Sequence, residues 1–176
     1  MHWEELFAAL EDDAREMERG VRDADIADRT RSAHAQVSWL MRCAGASVGL
    51  RVHGVGPVRG VVLRVTPEWL LLRDREATDD RLVAVAAVTS VSGLSVEVAA
   101  ESGIDQRLGW THAWRVLSRD RSEVATTCVD GSITRGVPEV VGRDYVQIRA
   151  YDGGRPTGAA PIAVPYAAIA TVTSPR

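Results

Sequence analysis

The chain has 176 residues, a formal net charge of −3, and 45% hydrophobic but only 5% aromatic residues. This length allows one ordinary domain or two small ones, and so many apolar residues exclude a disordered chain. All 21 basic residues are arginine, which we attribute to a GC-rich genome, with an arginine-selective ligand as the alternative. The charge is too mild to make the protein a nucleic-acid binder by electrostatics alone.

Residues 1–44 are predicted to form an acidic helical arm. Apolar residues recur there at alternating steps of four and three, which is the spacing of a coiled-coil seam. We predict an arm interface that packs either on the rest of the chain or on a second copy or partner helix. Its residues are Trp3, Phe7, Leu10, Met17 and Val21.

The stretch 48–91 occurs twice. A shift of 76 positions aligns its first part with the second copy, and after a five-residue insertion the shift becomes 81. The first shift carries Val48, Arg59, Gly60, Val65 and Arg73 onto Val124, Arg135, Gly136, Val141 and Arg149. The repeat predicts the same architecture in both copies, and it says nothing about a ligand.

Each copy is predicted to contain five short strands, because apolar residues alternate between turn signals. In the first copy the predicted strands cover 48–52, 58–65, 69–73, 83–85 and 89–91. In the second copy they include 124–128, a strand bent at Gly136, and 145–149, followed by a loop over 152–161. A short helix over 104–119 is predicted to lead into the second copy.

A helix followed by five short strands, with the second strand bent at a glycine and the last two joined by one short turn, resembles the Sm-like fold. That fold is a small SH3-like barrel of RNA-associated rings, including the bacterial Hfq type. The chain is also similar to two-barrel proteins of high-GC bacteria. The resemblance implies a mainly β chain with helices: two tandem five-stranded Sm-like barrels, each preceded by a helix. The implied domains are the arm 1–44, a first barrel 45–100, and a helix plus second barrel 101–176.

The two base-binding motifs of the Sm-like family are missing from this sequence. The family places an acid, a spacer and an asparagine on its third strand, and this chain contains no asparagine. The family also places a basic residue beside a glycine between strands 4 and 5. The corresponding positions here, 86–88 and 167–169, read Ala-Ala-Val and Ala-Ala-Ile. The resemblance therefore implies the fold without the usual RNA site.

The third predicted strand offers the best candidate binding residues. Trp69 and Arg73, and their equivalents Tyr145 and Arg149, lie on the strand face opposite the expected core. They are predicted to stack on and clamp a nucleotide, or to anchor a protein partner. The alternative is an aromatic packed on the preceding helix beside a solvated arginine. Arg59 and Arg135 precede the paired glycines and are predicted to contact phosphate, with solvation again the alternative.

No catalytic, metal or cofactor site is predicted. The four histidines are scattered, and Cys43 and Cys128 are far apart in sequence, so the spacing of metal ligands is absent. Two unpaired thiols and an acidic N-terminus without a signal peptide predict a cytoplasmic protein. The apolar window 82–100 is interpreted as buried strand and not as a membrane span. The protein is not expected to be an enzyme.

Strand edges indicate how the protein assembles. Strand 4 of the first copy is free of proline, whereas strand 4 of the second copy contains Pro165, which removes a backbone donor. We expect the two copies to pair through the first copy's strand 4, which leaves the proline-containing outer edge of the second copy protected. The predicted function is a non-enzymatic binding or adaptor protein that forms homo-oligomers or binds a protein partner through barrel edges and the arm. The alternative is an RNA- or DNA-binding regulator that uses the strand-3 aromatic and arginine faces.

Overall fold

The computed structural model describes residues 38–74, 80–95, 107–152 and 155–174. In these ranges the chain has eleven β-strands and one α-helix, so it is mainly β, as predicted. The predicted arm interface and nearly all of the predicted helix 1–44 lie outside the described residues. The described strands and the helix belong to one compact unit that starts at Trp39.

The end of the predicted N-terminal helix is described, and it is not helical. Residues 39–45 form consecutive turns, in which the amides of Arg42 and Cys43 donate to carbonyls three residues earlier, each over 3.1 Å. The prediction of helix up to residue 44 was therefore wrong here. The physical reason is that the segment joins the sheet, because Gly45 donates to Val62 and Val62 donates to Ala46. Cys43 is fully buried, with 0% of its surface exposed.

The first copy forms five strands in the predicted order. Their bounds are β1 Ser47–Val52, β2 Gly56–Val65, β3 Trp69–Arg73, β4 Asp80–Ala84 and β5 Val88–Ser92. β1 forms because its alternate residues are apolar and face the core. β4 begins inside the predicted charged loop, since Asp80 lies opposite Arg73 in the ladder. A single 3-10 turn, Val85–Ala87, joins β4 to β5.

The second copy repeats this order after the helix α1, Trp110–Arg119. Its strands are β6 Val124–Cys128, β7 Ile133–Val141, β8 Tyr145–Asp152, β9 Arg155–Pro156, β10 Ile162–Pro165 and β11 Ile169–Thr173. α1 starts later than predicted, because Gly109 is extended and forms the N-cap. The two-residue strand β9 pairs with β8 inside the predicted loop, so the prediction of a plain loop there was wrong.

Backbone hydrogen bonds that hold the turns recur at equivalent positions. His53 donates to Ala87 over 2.8 Å, and Val129 donates to Ala168 over 2.9 Å. Val85 donates to the carbonyl of Glu68, and Tyr166 donates to that of Asp144. These bonds join the β1–β2 and β2–β3 turns, and their equivalents in the second copy, to the 3-10 turns. The sequence repeat is therefore also a repeat of backbone contacts.

All of these strands except β9 lie in one continuous antiparallel path. Its order is β10-β8-β7-β6-β11-β4-β3-β2-β1-β5, which contains the same five-strand order twice. Within the described ranges the ladder does not close, because strands 4 and 5 of a copy make no backbone pairs with each other. The described strands therefore do not form the two separate, closed five-stranded barrels that were predicted. The copies share one open sheet because β4 pairs with β11.

The core lies on alternating residues of this sheet. In the first copy Leu70, Leu72 and Val83 face it and are fully buried. Burying such a side chain contributes about 1.5–3 kcal/mol relative to leaving it exposed. Leu82 and Leu71 lie on the opposite face, yet Leu82 pairs with the buried Val172 of β11. The outer face of the first copy therefore continues into the core side of the second.

Each copy needs its glycine at the bend of the second strand. A Cβ on Gly60 would lie 2.5 Å from the carbonyl oxygen of Arg73, and one on Gly136 would overlap that of Arg149. Gly136 also has a φ of 154°, a conformation that side chains strongly disfavour. The close approach of strand 3 explains why glycine occupies both positions.

We predict that Gly60→Ala lowers the free energy of unfolding by about 1–3 kcal/mol, because the added methyl group overpacks the β2–β3 contact. Urea denaturation followed by tryptophan fluorescence measures the effect. Gly158→Ala is the matched control, since a Cβ there meets nothing within 4 Å. Equal stability of Gly60→Ala and the wild type would contradict the role assigned to this glycine.

Candidate functional site

The joint between the two copies is an edge-to-edge strand pairing. Thr171, Val172 and Thr173 of β11 lie opposite Val83, Leu82 and Arg81 of β4. β11 also pairs with β6 on its other side, so it belongs to the ladder of both copies. The pairing expected through the proline-free strand 4 of the first copy is confirmed.

Because the two copies are joined into one sheet, the sheet that the structure describes has two terminal strands, β5 and β10. In the part of the chain that the structure describes, β5 pairs only with β1, and β10 pairs only with β8. The backbone groups on their outer sides are not used by another strand of this path. β5 is the fifth strand of the first copy, and β10 corresponds to the fourth strand of the second copy. A fourth and a fifth strand already pair with each other inside the chain, at the β4–β11 joint.

Pro165 does not remove a donor that a second joint of this kind would need. Its equivalent in the first copy is Ala84, which lies outside the β4–β11 register. The pairing there ends at Val83, whose equivalent in the second copy is Val164. The three residues of β10 that correspond to the paired part of β4 are Ile162, Ala163 and Val164.

The helix of the second copy is anchored to the first copy. A carboxylate oxygen of Glu68, in the turn before β3, accepts the backbone N–H of Trp110 over 2.5 Å. An acidic group at this end satisfies a helix amide that has no partner within the helix, and it is favoured by the helix dipole. Gly109 leaves room for this contact, because a Cβ there would lie 2.8 Å from the same oxygen.

Aromatic side chains fix α1 over the second copy. The rings of Trp110 and Trp114 stack with centroids 6.2 Å apart, and Tyr166 packs on Trp110 at 6.4 Å. The hydroxyl of Tyr166 donates to the carbonyl of Gly142 over 3.0 Å, and burial raises the pKa of this tyrosine. α1 is thus held by the first copy at its N-terminus and by the second copy along its buried side.

Trp69 lies in an apolar groove beside α1, with only 5% of its surface exposed. The groove has a volume of about 290 Å³, and its walls include Leu71, Leu82, Val116 and Leu117. One interpretation of its strand position predicted that Trp69 is exposed and stacks on a base. The structure instead buries this tryptophan. It borders α1, which follows it in sequence, and not a preceding helix.

The strand-3 arginines are both paired with carboxylates. Arg73 donates two hydrogen bonds to Asp80, over 2.8 and 3.0 Å. Arg149 donates to Glu139, and this bond holds the pKa of the glutamate below its usual range. The acids occupy different strands, β4 in the first copy and β7 in the second. Phosphate would have to compete with a carboxylate at either arginine.

The remaining sequence-predicted residues lie near these arginines. Arg59 and Arg135 are exposed. In each copy the two arginines are diagonal neighbours on adjacent strands, because Val61 lies opposite Arg73 and Val137 lies opposite Arg149. Tyr145 is half-buried, with its ring over Gly142. The structure thus brings Arg59 near Arg73 and Arg135 near Arg149, one pair in each copy.

Three carboxylates in these contacts were missed by sequence reasoning. Glu68, Asp80 and Glu139 were assigned no role, although each carries a contact described above. Asp80 had a usable signal, because it follows Arg73 across a loop between two strands and so can lie opposite it. The Glu68 contact joins residues 42 positions apart and has no such local signal.

The described residues contain no group of three or more His, Cys, Asp or Glu side chains placed to hold a metal ion. Burial raises the pKa of the Cys43 thiol to about 11, so this thiol stays protonated and is a poor nucleophile at neutral pH. None of the helices in these ranges has the length and apolar character needed to cross a membrane.

The sequence matches no model of a protein family and no curated protein.

We predict that Glu68→Ala lowers the free energy of unfolding by about 1 kcal/mol, since it removes the acceptor at the N-terminus of α1. Chemical denaturation followed by the fluorescence of the buried tryptophans gives the value. Glu123→Ala serves as the control, because Glu123 is an exposed acid near β6 whose side chain caps no helix. Equal destabilisation by the two substitutions would show that the Glu68 contact contributes nothing specific.

Proposed function

We propose that this protein is a non-enzymatic binding or adaptor protein, built from two Sm-like repeats, that assembles through its sheet edges and its N-terminal arm. The observation that carries the proposal is the β4–β11 joint, which is a strand-4 to strand-5 pairing inside one chain. Among the residues that the structure describes, the same two kinds of strand edge recur at β10 and β5 without a second strand partner. A pairing that works within the chain is therefore available between chains.

The connection between strands 4 and 5 supports an Sm-like shape for each repeat. β4 and β5 lie at opposite edges of a five-strand array but are joined by the three-residue turn Val85–Ala87. A flat array would separate these edges by about 19 Å, four spacings of about 4.8 Å. A 3-10 turn of this length advances about 6 Å. The short turn therefore favours an array that curls until its edges approach, with barrel-like curvature and without a closed ladder.

The internal joint also supplies a register for the joint between copies. If β5 of one chain pairs with β10 of another in the register of the β4–β11 joint, the repeat gives the opposed residues. Ser90 lies opposite Val164, Val91 opposite Ala163, and Ser92 opposite Ile162. This contact joins two different edges, so it is heterologous and builds a ring if the rotation closes or a filament if it does not. The proposed partner is a second copy of the chain, which binds by adding its edge strand to the sheet.

The alternative function, RNA or DNA binding through the strand-3 faces, has less support. Both strand-3 arginines are engaged by carboxylates, and Trp69 is buried. The self-assembling adaptor is therefore the function we adopt.

We predict that Ile162→Glu reduces the oligomeric mass, because it places a charge in the register of the proposed β5–β10 joint. Ile162 is 49% exposed, so the substitution should leave the fold intact. Light scattering coupled to size-exclusion chromatography measures the mass. Ile133→Glu is the matched control, because Ile133 is 53% exposed on β7, which lies inside the sheet path. A wild-type protein that stays monomeric on concentration would overturn the proposal.

The arm supplies a separate test of assembly. Deletion of residues 1–25 removes the predicted seam and should lower the oligomeric mass, because paired heptads add contacts between chains. The same chromatography on the shortened chain gives the answer, with circular dichroism to show that the β-sheet is retained. An unchanged mass would remove the arm from the assembly and leave the strand edges as the only proposed contact.

A further inference from the structure

An open cleft of about 690 Å³ lies on the first copy, away from the groove beside α1. It is bounded by β1, β2 and β5, and Gly49, Arg59, Gly60, Ser92 and Gly93 are among its lining residues. A smaller cavity of about 150 Å³ shares Gly49, Arg59 and Ser92 and adds Arg51. The two cavities are therefore neighbouring parts of one polar surface.

The strand register places two arginines side by side on this surface. Arg59 lies opposite Gly49, and Arg51 lies opposite Pro57, two residues before Arg59. Diagonal neighbours of this kind are about 7–8 Å apart, within reach of long side chains. Gly49 has no side chain to separate them. Both guanidinium groups can therefore meet over a single bound group.

Two adjacent like charges repel each other unless an anion lies between them. Within the described part of the chain, neither Arg51 nor Arg59 forms an ion pair. Arg73, the next arginine along the diagonal, is already engaged by Asp80. Arg59 lines the cleft together with one acid, Asp74, and Arg51 lines the smaller cavity beside it. The two arginines therefore face one surface without a carboxylate of the described residues bound to either of them.

The floor of the cleft is backbone because glycines occupy it, and Gly93 is required there by a φ of 79° and a close backbone contact. A Cβ on Gly49 would lie 2.7 Å from the hydroxyl oxygen of Ser92, and one on Gly93 would lie 2.6 Å from the carbonyl oxygen of Ser47. Ser92 in turn donates to the carbonyl of Gly49 over 3.1 Å. The result is a low surface beside the arginines, on which the flat part of a ligand can lie.

The second copy lacks this arrangement although it has the same fold. The repeat carries Arg59 onto Arg135 but Arg51 onto Thr127, and Gly49 onto Ala125. The backbone contacts are shared by the copies, whereas the second arginine and the glycine between the pair are not. The arginine pair is therefore a surface property of the first copy, and Arg135 provides a matched comparison inside the same molecule.

We propose that this cleft binds a small phosphorylated molecule, with Arg51 and Arg59 holding the terminal phosphate. A phosphate monoester is close to a dianion at neutral pH and offers three acceptor oxygens, so it matches two guanidinium groups. The cleft is within the size range of small-ligand sites, and it is larger than a phosphate. The organic part of the ligand lies over Gly49 and Gly93.

The phosphate site is compatible with assembly through β5. In the internal joint the equivalent strand β11 is paired on both sides, yet Arg135, which lies two strands away on β7, stays exposed. Pairing of β5 with another copy would therefore occupy the strand edge and leave the arginine-bearing face open. Ligand binding and oligomeric state can be measured independently.

Isothermal titration of the full chain with adenosine 5′-monophosphate, ribose 5-phosphate and adenosine tests the proposal. We expect both phosphates to bind and adenosine to fail, with affinity falling as salt is raised. Arg51→Gln and Arg59→Gln should each weaken phosphate binding by about tenfold or more. Arg135→Gln should leave it unchanged. Circular dichroism shows that each variant is folded, which exposed positions should permit.

Several outcomes would overturn the proposal. One is the absence of binding by either phosphate at about 5 mM ligand, a concentration that detects dissociation constants in the millimolar range. Another is equal weakening by Arg135→Gln, which would indicate a general charge effect. A third is binding of a single-stranded oligonucleotide while both small phosphates fail, which would assign the surface to nucleic acid.

Discussion

The pairing of β4 with β11 is the interaction on which the rest of the structure depends. Each repeat is about 50 residues long, near the size at which a single core is marginal. The joint places the outer face of the first repeat against the core side of the second, through neighbours such as Leu82 and Val172. α1 borders a groove beside this junction and is anchored by Glu68. The two repeats therefore stabilise each other.

The copies are similar in backbone and different in surface. The turns repeat the same hydrogen bonds, and both strand-2 glycines are required by a strand-3 carbonyl. The charged partners of the strand-3 arginines have changed strands, from Asp80 on β4 to Glu139 on β7. Duplication thus preserved the contacts that define the fold, while surface residues such as Arg51 and Thr127 diverged.

Sequence patterns predicted the elements whose cause is local. The alternation of apolar residues located β3 and β6 to the residue, and the repeat predicted equal strand order. Patterns failed where a distant contact decides the outcome. Residues 39–45 turn because they bond to β2, and Trp69 is buried beside a helix about 40 residues later. Glu139, which neutralises Arg149, was missed because its pairing depends on the strand register, whereas Asp80 had a local signal that was not used.

The two cysteines have a practical consequence. Cys43 lies in the turns before β1, Cys128 ends β6, and both thiols are buried. A reagent that alkylates thiols can reach either one only when the surrounding structure opens, because a protected thiol reacts through transient exposure. The chain therefore contains one native reporter of local opening in each repeat. The relative labelling rates of the two would show whether the repeats open together or one at a time.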